Sequence, residues 1–395
     1  MTNPRPLDGI TVISLEHAIA APFASRQLAD LGARVIKVER PGVGDFARAY
    51  DTRVKGEASH FVWTNRSKES LTLDLKHPDA LAVLRDLLKN ADVLLQNLAP
   101  GAAARMGLSW EALREKHPRL IVCDISGYGD NGPYRDKKAY DLLIQSEAGF
   151  LSITGTPDTP SKAGNSMADI AAGMYAFTSI LSALLLRGKT GEGSHIDVSM
   201  LEALGEWMGY PMYYAFEGAT PPPRTGASHA SIYPYGPFPA GDGGTVMLGL
   251  QNEREWKSFC DVVLQNPALA TDERFNANAQ RNANREALRA LIVEAFAKLS
   301  TAEVEARLDA AQIANARMND MAGLWAHPQL KARERWRDVG SPAGAVPALL
   351  PPGRNSAFDY RMDAVPRVGE HTEAILRELG RDDASVARLR EAKAI

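Results

Sequence analysis

The stretch "ITVISLEHAIAAPFASRQLADLGARVIKVE" (residues 10–39) decides the fold. Its opening run, "ITVISLE" (10–16), is β-branched and apolar. "PFASRQLADLG" (22–32) then spaces its apolar residues as a helix does and closes on a glycine, and "ARVIKVE" (33–39) returns to strand character. Strand, helix and strand within about 30 residues is the unit that builds a parallel sheet. The same alternation continues through "SLTLDL" (70–75), "HPDALAVLRDLLKNA" (77–91), "DVLLQNL" (92–98), "SWEALREKH" (109–117) and "RLIVCDIS" (119–126). Pro22 and Pro78 stand near helix starts, and Ser109 is placed to cap the third helix. Strands that are apolar on both faces fit a sheet covered by helices on both sides. The predicted class is α/β.

Further along, "NSMADIAAGMYAF" (165–177) carries one carboxylate, Asp169, and no charged residue follows from Ile170 to Leu186. Those 17 residues reach the lower limit for crossing a bilayer. They are rich in Ala, Ser and Gly, and no second run resembles them, so a buried core or interface helix is the reading. "GKTGEGSHIDVSM" (188–200) gives a turn and a short strand, and a helix-like run occupies 200–217. "GATPPPRTGA" (218–227) reads as a linker, because three prolines cannot continue a helix. A hairpin signal at "AGDGGTVML" (240–248) and helical patterns at 253–265, 284–298 and 301–312 follow. A second Pro/Gly-rich stretch, "GSPAGAVPALLPPG" (340–353), carries the chain elsewhere. The predicted layout is a large α/β domain over 1–217, a small domain over 218–339 and a C-terminal return over 340–395.

The chain has 395 residues, with 45 basic and 48 acidic side chains and a net charge of -3. That balance points to neither nucleic acid nor an anionic membrane as partner. "MTNPRPLDGI" shows no signal-peptide core, and Cys123 and Cys260 are too few for a disulfide framework. The expected setting is the reducing cytoplasm.

"GYGDNG" (127–132) matches G-x-G-x-x-G, but Pro133 follows and no helical apolar stripe does, so a loop is the better reading than a dinucleotide site. The eight histidines are scattered without metal-ligand spacing, and no metal is expected. Arg40, Lys76, Arg105 and Lys138 recur near strand ends or loops, where α/β sheets bind ligands, and could meet phosphates. Asp169 has two readings. It could cap the helix that follows, or serve as an ionised nucleophile in a dry site. Composition leaves both open.

Taken together, "LDGITVISLEHAIAAPFASRQLADLGARVIKVERPGVGD", "NRSKESLTLDLK", "VLLQNLAPGAAARMGL", "HPRLIVCDISGYGDNGPYRDKKAYDLLIQSEAG", "GNSMADIAAGMYAFTSILSALLLR" and "GSHIDVSMLEA" resemble the class III CoA-transferases, the superfamily of formyl-CoA transferase, carnitine CoA-transferase and α-methylacyl-CoA racemase. "YPYGPFPAGDGGTVML" is a weaker match. The resemblance implies a Rossmann-like large domain with a parallel sheet, a smaller α+β domain and an interlocked, ring-like homodimer. It implies that Asp169 attacks a thioester, with acyl-CoA and a small carboxylic acid as substrates and no permanently bound cofactor. It carries CoA contacts onto Arg40, Leu73 and Lys76 of "LDLK", Asn97, Leu98, Arg105, Met106, Lys138 and Tyr140.

The racemases of this superfamily pair their acid with a histidine where Tyr140 stands here. Tyr, with a pKa near ~10, is a poor base, so transfer is favoured over racemisation; a non-catalytic CoA-binding protein is the alternative from another class. The glycine run of the formyl-CoA transferases is missing from "TGASHASIYPYG" (225–236), and Ile19 and Tyr50 stand where those enzymes place Gln and Trp near the substrate. Oxalate is therefore disfavoured. The pattern points to succinyl-CoA with a C4 or C5 dicarboxylate such as itaconate, mesaconate, malate or citramalate. His17, Arg48, Arg66 and His229 are the candidates for meeting its distal carboxylate.

Overall fold

The apolar runs of the first third lie side by side in one sheet. A computed structural model describes residues 3–395. In it β1 (Thr11–Leu15), β2 (Arg34–Glu39), β3 (Lys68–Thr72), β4 (Val93–Gln96), β5 (Ile121–Ser126) and β6 (His195–Ser199) are ordered 3-2-1-4-5-6. Every pairing is parallel. The order reverses between β1 and β4, and a crevice opens beyond the carboxyl ends of strands at such a reversal.

Alternation along the strands assigns the two faces. Ile13, Ile36, Leu94 and Val122 are in register and share one core with Leu84, Leu87 and Leu88 of the helix Pro78–Leu88. Ile375, Leu376 and Val386 of the C-terminal helices Thr372–Glu378 and Asp383–Glu391 join that core. The opposite face carries Val12, Val35, Val93 and Ile121, all buried. The helices Ala20–Asp30 and Met167–Thr190 pack there, against each other and against the strands.

The helix Met167–Thr190 is long and apolar enough to cross a membrane by length and composition. It buries one face, through Ala168, Ala171, Ala172, Gly173, Ala176, Ile180 and Ala183. Of the sequence reading of a buried core or interface helix, the core part holds for one side, and Leu185 at 73% and Leu186 at 54% are exposed on the other. Small residues let the helix approach its neighbour closely. A Cβ on Gly173 would stand 2.7 Å from the Ala20 carbonyl oxygen and 3.1 Å from the Phe23 ring. At its far end Arg187 anchors the helix, pairing with Asp92 at 2.8 Å and donating to the Arg119 carbonyl.

The chain divides into two units: residues 1–148, 163–209 and 330–395, and residues 149–162 with 210–329. The second is built on the antiparallel strands β7 (Tyr235–Pro239), β8 (Thr245–Gly249) and β9 (Ala314–Arg317), with a core of Phe238, Val246, Trp256, Phe259, Ile292 and Phe296. It includes residues 149–162, which the sequence layout keeps in the large domain. Arg224 explains this: its guanidinium donates to the carbonyls of Ser152, Thr156 and Pro157. The C-terminal segment returns to β3, where the Thr72 N–H donates to Thr372 Oγ1 at 3.0 Å.

Two glycines of the long helix should respond oppositely to alanine. Gly173→Ala should lose about 1 kcal/mol or more of stability, because overpacking against backbone costs about 1–3 kcal/mol and exceeds the helix-propensity gain of about 1 kcal/mol. Gly188 faces open space, so Gly188→Ala should be neutral or stabilising by up to about 1 kcal/mol. Urea unfolding of the two variants checks the contrast, and equal effects would contradict the close approach.

Candidate active site

The alternation that buries Val35 also buries Lys37 and Glu39, and the same face carries Ser14, Lys68 and Ser70. A polar island therefore sits inside the sheet's carboxyl-end half. Glu16 Oε1 accepts from Lys68 Nζ at 2.7 Å and from Lys37 Nζ at 3.3 Å. Its other oxygen accepts from the hydroxyls of Ser25, at 2.6 Å, and Ser14. Lys37 also donates to Asp45 Oδ2 at 2.8 Å. Burial works to raise the pKa of Glu16, but Lys68 and Lys37 outweigh it and bring it down to about 2. Burial likewise works against the charge on Lys37, and Glu16 and Asp45 reverse that, raising it. Burial pushes Lys68 down to about 7. Its acceptors at Glu16, Asn65 and Pro22 nonetheless take three hydrogen bonds, the complement of a charged ammonium.

This island fixes the two segments that rim the crevice. Asp45 Oδ1 accepts from the Ala47 N–H, which starts the short helix Phe46–Ala49, and from the Ala18 N–H. Asn97 clamps His17 from the end of β4: its carbonyl accepts from the His17 N–H and its amide donates to the His17 carbonyl, both at 2.9 Å. Between these two grips Ala18 is held at φ 59°, a left-handed conformation that costs a residue with a Cβ roughly 1–2 kcal/mol. The His17 ring stacks on Phe46 at 5.2 Å, and Tyr50 packs against Phe46 and His60.

Asp169 enters from the opposite strand-helix connection. The helix begins at Met167, so Asp169 lies in the first turn, and the cap position belongs to Ser166. That corrects the reading of Asp169 as the N-cap. Burial first, and the Asp141 charge second, push its carboxyl up to about 7. It also reaches the other rim. The Tyr50 phenol is raised by burial, then by Asp45, Asp169 and Tyr140. Asp169 and Tyr140 are thus within electrostatic reach of Tyr50, which packs against Phe46.

The other expected site residues divide by what they touch. Arg40, Lys76, Arg105 and Lys138 are exposed at or after the ends of β2, β3, β4 and in the loop beyond β5. Tyr140 is 72% exposed. Leu73 and Ile19 have buried side chains, and Met106 packs against the core. The Leu98 N–H donates to Gln96 Oε1. Arg48 grips Glu39 with two bonds of 2.8 Å and lies over the Phe61 ring. Arg66 grips Asp30 with bonds of 2.8 and 2.7 Å. Both guanidinium groups are engaged internally, so the structure does not offer them to a bound acid as the sequence reading expects. His229 lies in the second unit, where its Nδ1 accepts from the Ser231 and Ile232 N–H groups. Gly127, Gly129 and Gly132 of "GYGDNG" sit in a loop that opens no helix. Burial pushes the Cys123 thiol up, as suits an inert core cysteine. Among the described residues no cluster of His, Cys, Asp or Glu is placed to hold a metal ion.

A carboxylate of raised basicity, and exposed cations at or after the ends of the parallel strands, fit thioester chemistry on an anionic carrier. The profile of CoA-transferase family III matches residues 7–372. The chain belongs to this family. It is 36% identical to a succinate–glutarate CoA-transferase of Agrobacterium fabrum, over 96% of this chain and 97% of that one. It is 34% identical to an acetyl-CoA:oxalate CoA-transferase of Acetobacter aceti, over 96% and 97%. A crystal structure of a CaiB/BaiF family protein from Brucella suis matches with a TM-score of 0.86 at 36% identity, covering 96% of this chain and all of that one. The protein is a CoA-transferase.

The polar island makes an acid-range prediction. Glu16 stays ionised in the folded CoA-transferase down to about 2, against an ordinary 4.5. Its contribution is therefore complete above pH 4.5 and is lost as pH falls through about 2. Glu16→Gln should cost about 3 kcal/mol at neutral pH by leaving two buried lysines short of a partner. The gap from wild type should close between pH 4.5 and 2 in thermal unfolding, and equal melting temperatures at pH 7 would refute the role.

Proposed function

We propose that this transferase moves CoA from succinyl-CoA to a C4 or C5 dicarboxylic acid through covalent intermediates on Asp169. The observation that carries this is the state of Asp169. It is a carboxylate in the first turn of a helix that carries no other charge before Arg187, with basicity raised by burial and by Asp141. A more basic carboxylate is a stronger nucleophile, and at pH 7 a carboxyl with a pKa of about 7 is still half ionised.

The steps balance without water or an external proton. An Asp169 oxygen attacks the thioester carbonyl, the C–S bond breaks, and CoA leaves as thiolate, giving a mixed anhydride. The thiolate attacks the aspartyl carbonyl and releases the donor acid, giving an aspartyl-CoA thioester. The acceptor carboxylate attacks that carbonyl and expels the thiolate. The thiolate then takes the acceptor's acyl carbon and frees Asp169. Apolar walls protect the anhydrides from hydrolysis.

In this reading Arg40, Lys76, Arg105 and Lys138 meet the phosphates of CoA, and His17 and Tyr50 face the acyl group. The glutarate named for the Agrobacterium relative is a C5 dicarboxylate and supports the acceptor class. The oxalate named for the Acetobacter relative keeps a C2 acid in the comparison, despite the missing glycine run. The exposed Leu185 and Leu186 give an interlocked second copy an apolar surface to cover. The cytoplasm is the proposed setting.

The test incubates the protein with succinyl-CoA and hydroxylamine and maps the adduct by mass spectrometry. A hydroxamate should appear on Asp169, and Asp169→Ala should lose at least about 10³-fold in transfer. A panel of glutarate, itaconate, mesaconate, malate, citramalate and oxalate ranks the acceptors. Full transfer by Asp169→Ala sinks the mechanism.

A further inference from the structure

We infer that Asp141 is a positioning residue for Asp169, capping the helix that carries the nucleophile and keeping a like charge beside it until acylation removes the repulsion. The inference rests on the covalent role of Asp169 and assigns a role to a second carboxylate.

Asp141 opens the helix Asp141–Glu147, yet its side chain serves another helix. Its Oδ1 accepts from the Ala168 N–H at 2.8 Å and from the Asp169 N–H at 3.4 Å. Ser166, at the cap position itself, makes no side-chain cap bond. The other oxygen of Asp141 accepts from Gln145 Nε2 at 2.7 Å. Gln145 is fully buried, and its own carbonyl accepts from the Ala163 N–H at 2.9 Å. Three donors thus lock the Asp141 carboxylate in place, and the Ala163 N–H holds one of them, Gln145. Among the described residues no cation pairs with it, so its charge is not cancelled locally.

Two consequences follow. The first-turn N–H groups that would stabilise an ionised Asp169 are given to Asp141 instead. The two carboxylates also repel while Asp169 is free. When an Asp169 oxygen bonds to the acyl carbon and the C–S bond breaks, the negative charge leaves on the thiolate sulfur. The penalty therefore falls on the free nucleophile and not on the anhydride or the aspartyl thioester.

Other ionisable groups lie on the elements packed around the helix. The helix Ala20–Asp30 brings Arg26 and Asp30, the helix Asp141–Glu147 brings Glu147 besides Asp141, the helix Met200–Trp207 brings Glu202 and Glu206, β5 brings Cys123 and Asp124, and β6 brings His195 and Asp197. Tyr50 and Tyr140 stand at the rim. Among the charged groups, Asp141 is the one whose field moves Asp169.

The experiment compares full-length wild type with Asp141→Asn, which keeps a capping oxygen and removes the charge. Asp141→Ser is the second variant, because its hydroxyl can still accept from a first-turn N–H without a charge should Asp141→Asn fold poorly beside the Gln145 amide. The readout is kcat/KM for succinyl-CoA against pH, which reports ionisations of the free enzyme, together with hydroxamate mapping. Wild type should show an acid limb near neutrality. Asp141→Asn should move that limb down by about 1 pH unit or more and lower the plateau about tenfold. A role confined to capping would lower the melting temperature without moving the limb. An unmoved limb in both variants, with the adduct still on Asp169, overturns the inference and leaves the covalent reading standing. Absence of an Asp169 adduct in wild type overturns both.

Discussion

The contact on which the active-site end of the sheet depends is the buried carboxylate of Glu16 between the ammonium groups of Lys37 and Lys68. It joins β1 to β2 and β3 on the face that helices cover, and it holds the start of the helix Ala20–Asp30 through Ser25 and the Pro22 carbonyl. Apolar residues there could bind as strongly, since desolvation offsets most of what a buried ion pair gains. A charged cluster is more selective. A slip of one residue in β2 would turn Lys37 to the Ile13–Leu94 core and leave Glu16 short of a partner. Asp45 completes the cluster, so the loop after β1 and the turn after β2 are fixed by the same charges as the strands.

From that anchor the site follows by short links. Asp45 and Asn97 hold the backbone on either side of Ala18. His17 and Tyr50 stand on Phe46, whose short helix Asp45 starts. Rigid support suits group transfer, because reacting groups held in place need not be reoriented before they react. The left-handed Ala18 is a local cost borne for the aim of that loop.

Much of the fold was legible because alternation of strand and helix is written in runs of residues. The six strands lie within a few residues of "ITVISLE", "ARVIKVE", "SLTLDL", "DVLLQNL", "RLIVCDIS" and the short run after Gly193. What stayed hidden depends on partners distant in sequence. Lys37 and Glu39 in "ARVIKVE" look like ordinary solvent-facing residues of an alternating strand, and only the paired Glu16 and Arg48 reveal them as buried. Arg48 and Arg66 looked available for a substrate until Glu39 and Asp30 took them. Residues 149–162 gave no local sign of belonging with Arg224. The exposed cations after strand ends could be found from the sequence alone, since strand-end position is a local property.

Asp169 shows how far a local reading can go and where it stops. Its sequence context, a small-residue run opening an uncharged helix, already said that a carboxylate there must deal with both a helix terminus and a dry wall. A cap and a nucleophile looked like rival uses of one side chain. The fold separates them by bringing a second acid, Asp141, to the terminus. The first-turn N–H groups of Ala168 and Asp169 go to Asp141 and the Asp169 oxygens take no part in the capping, so the helix supplies a wall without a counter-charge near Asp169. No cation follows Asp169 in that helix before Arg187, at the far end, and burial, with the Asp141 charge beside it, keeps the carboxylate basic.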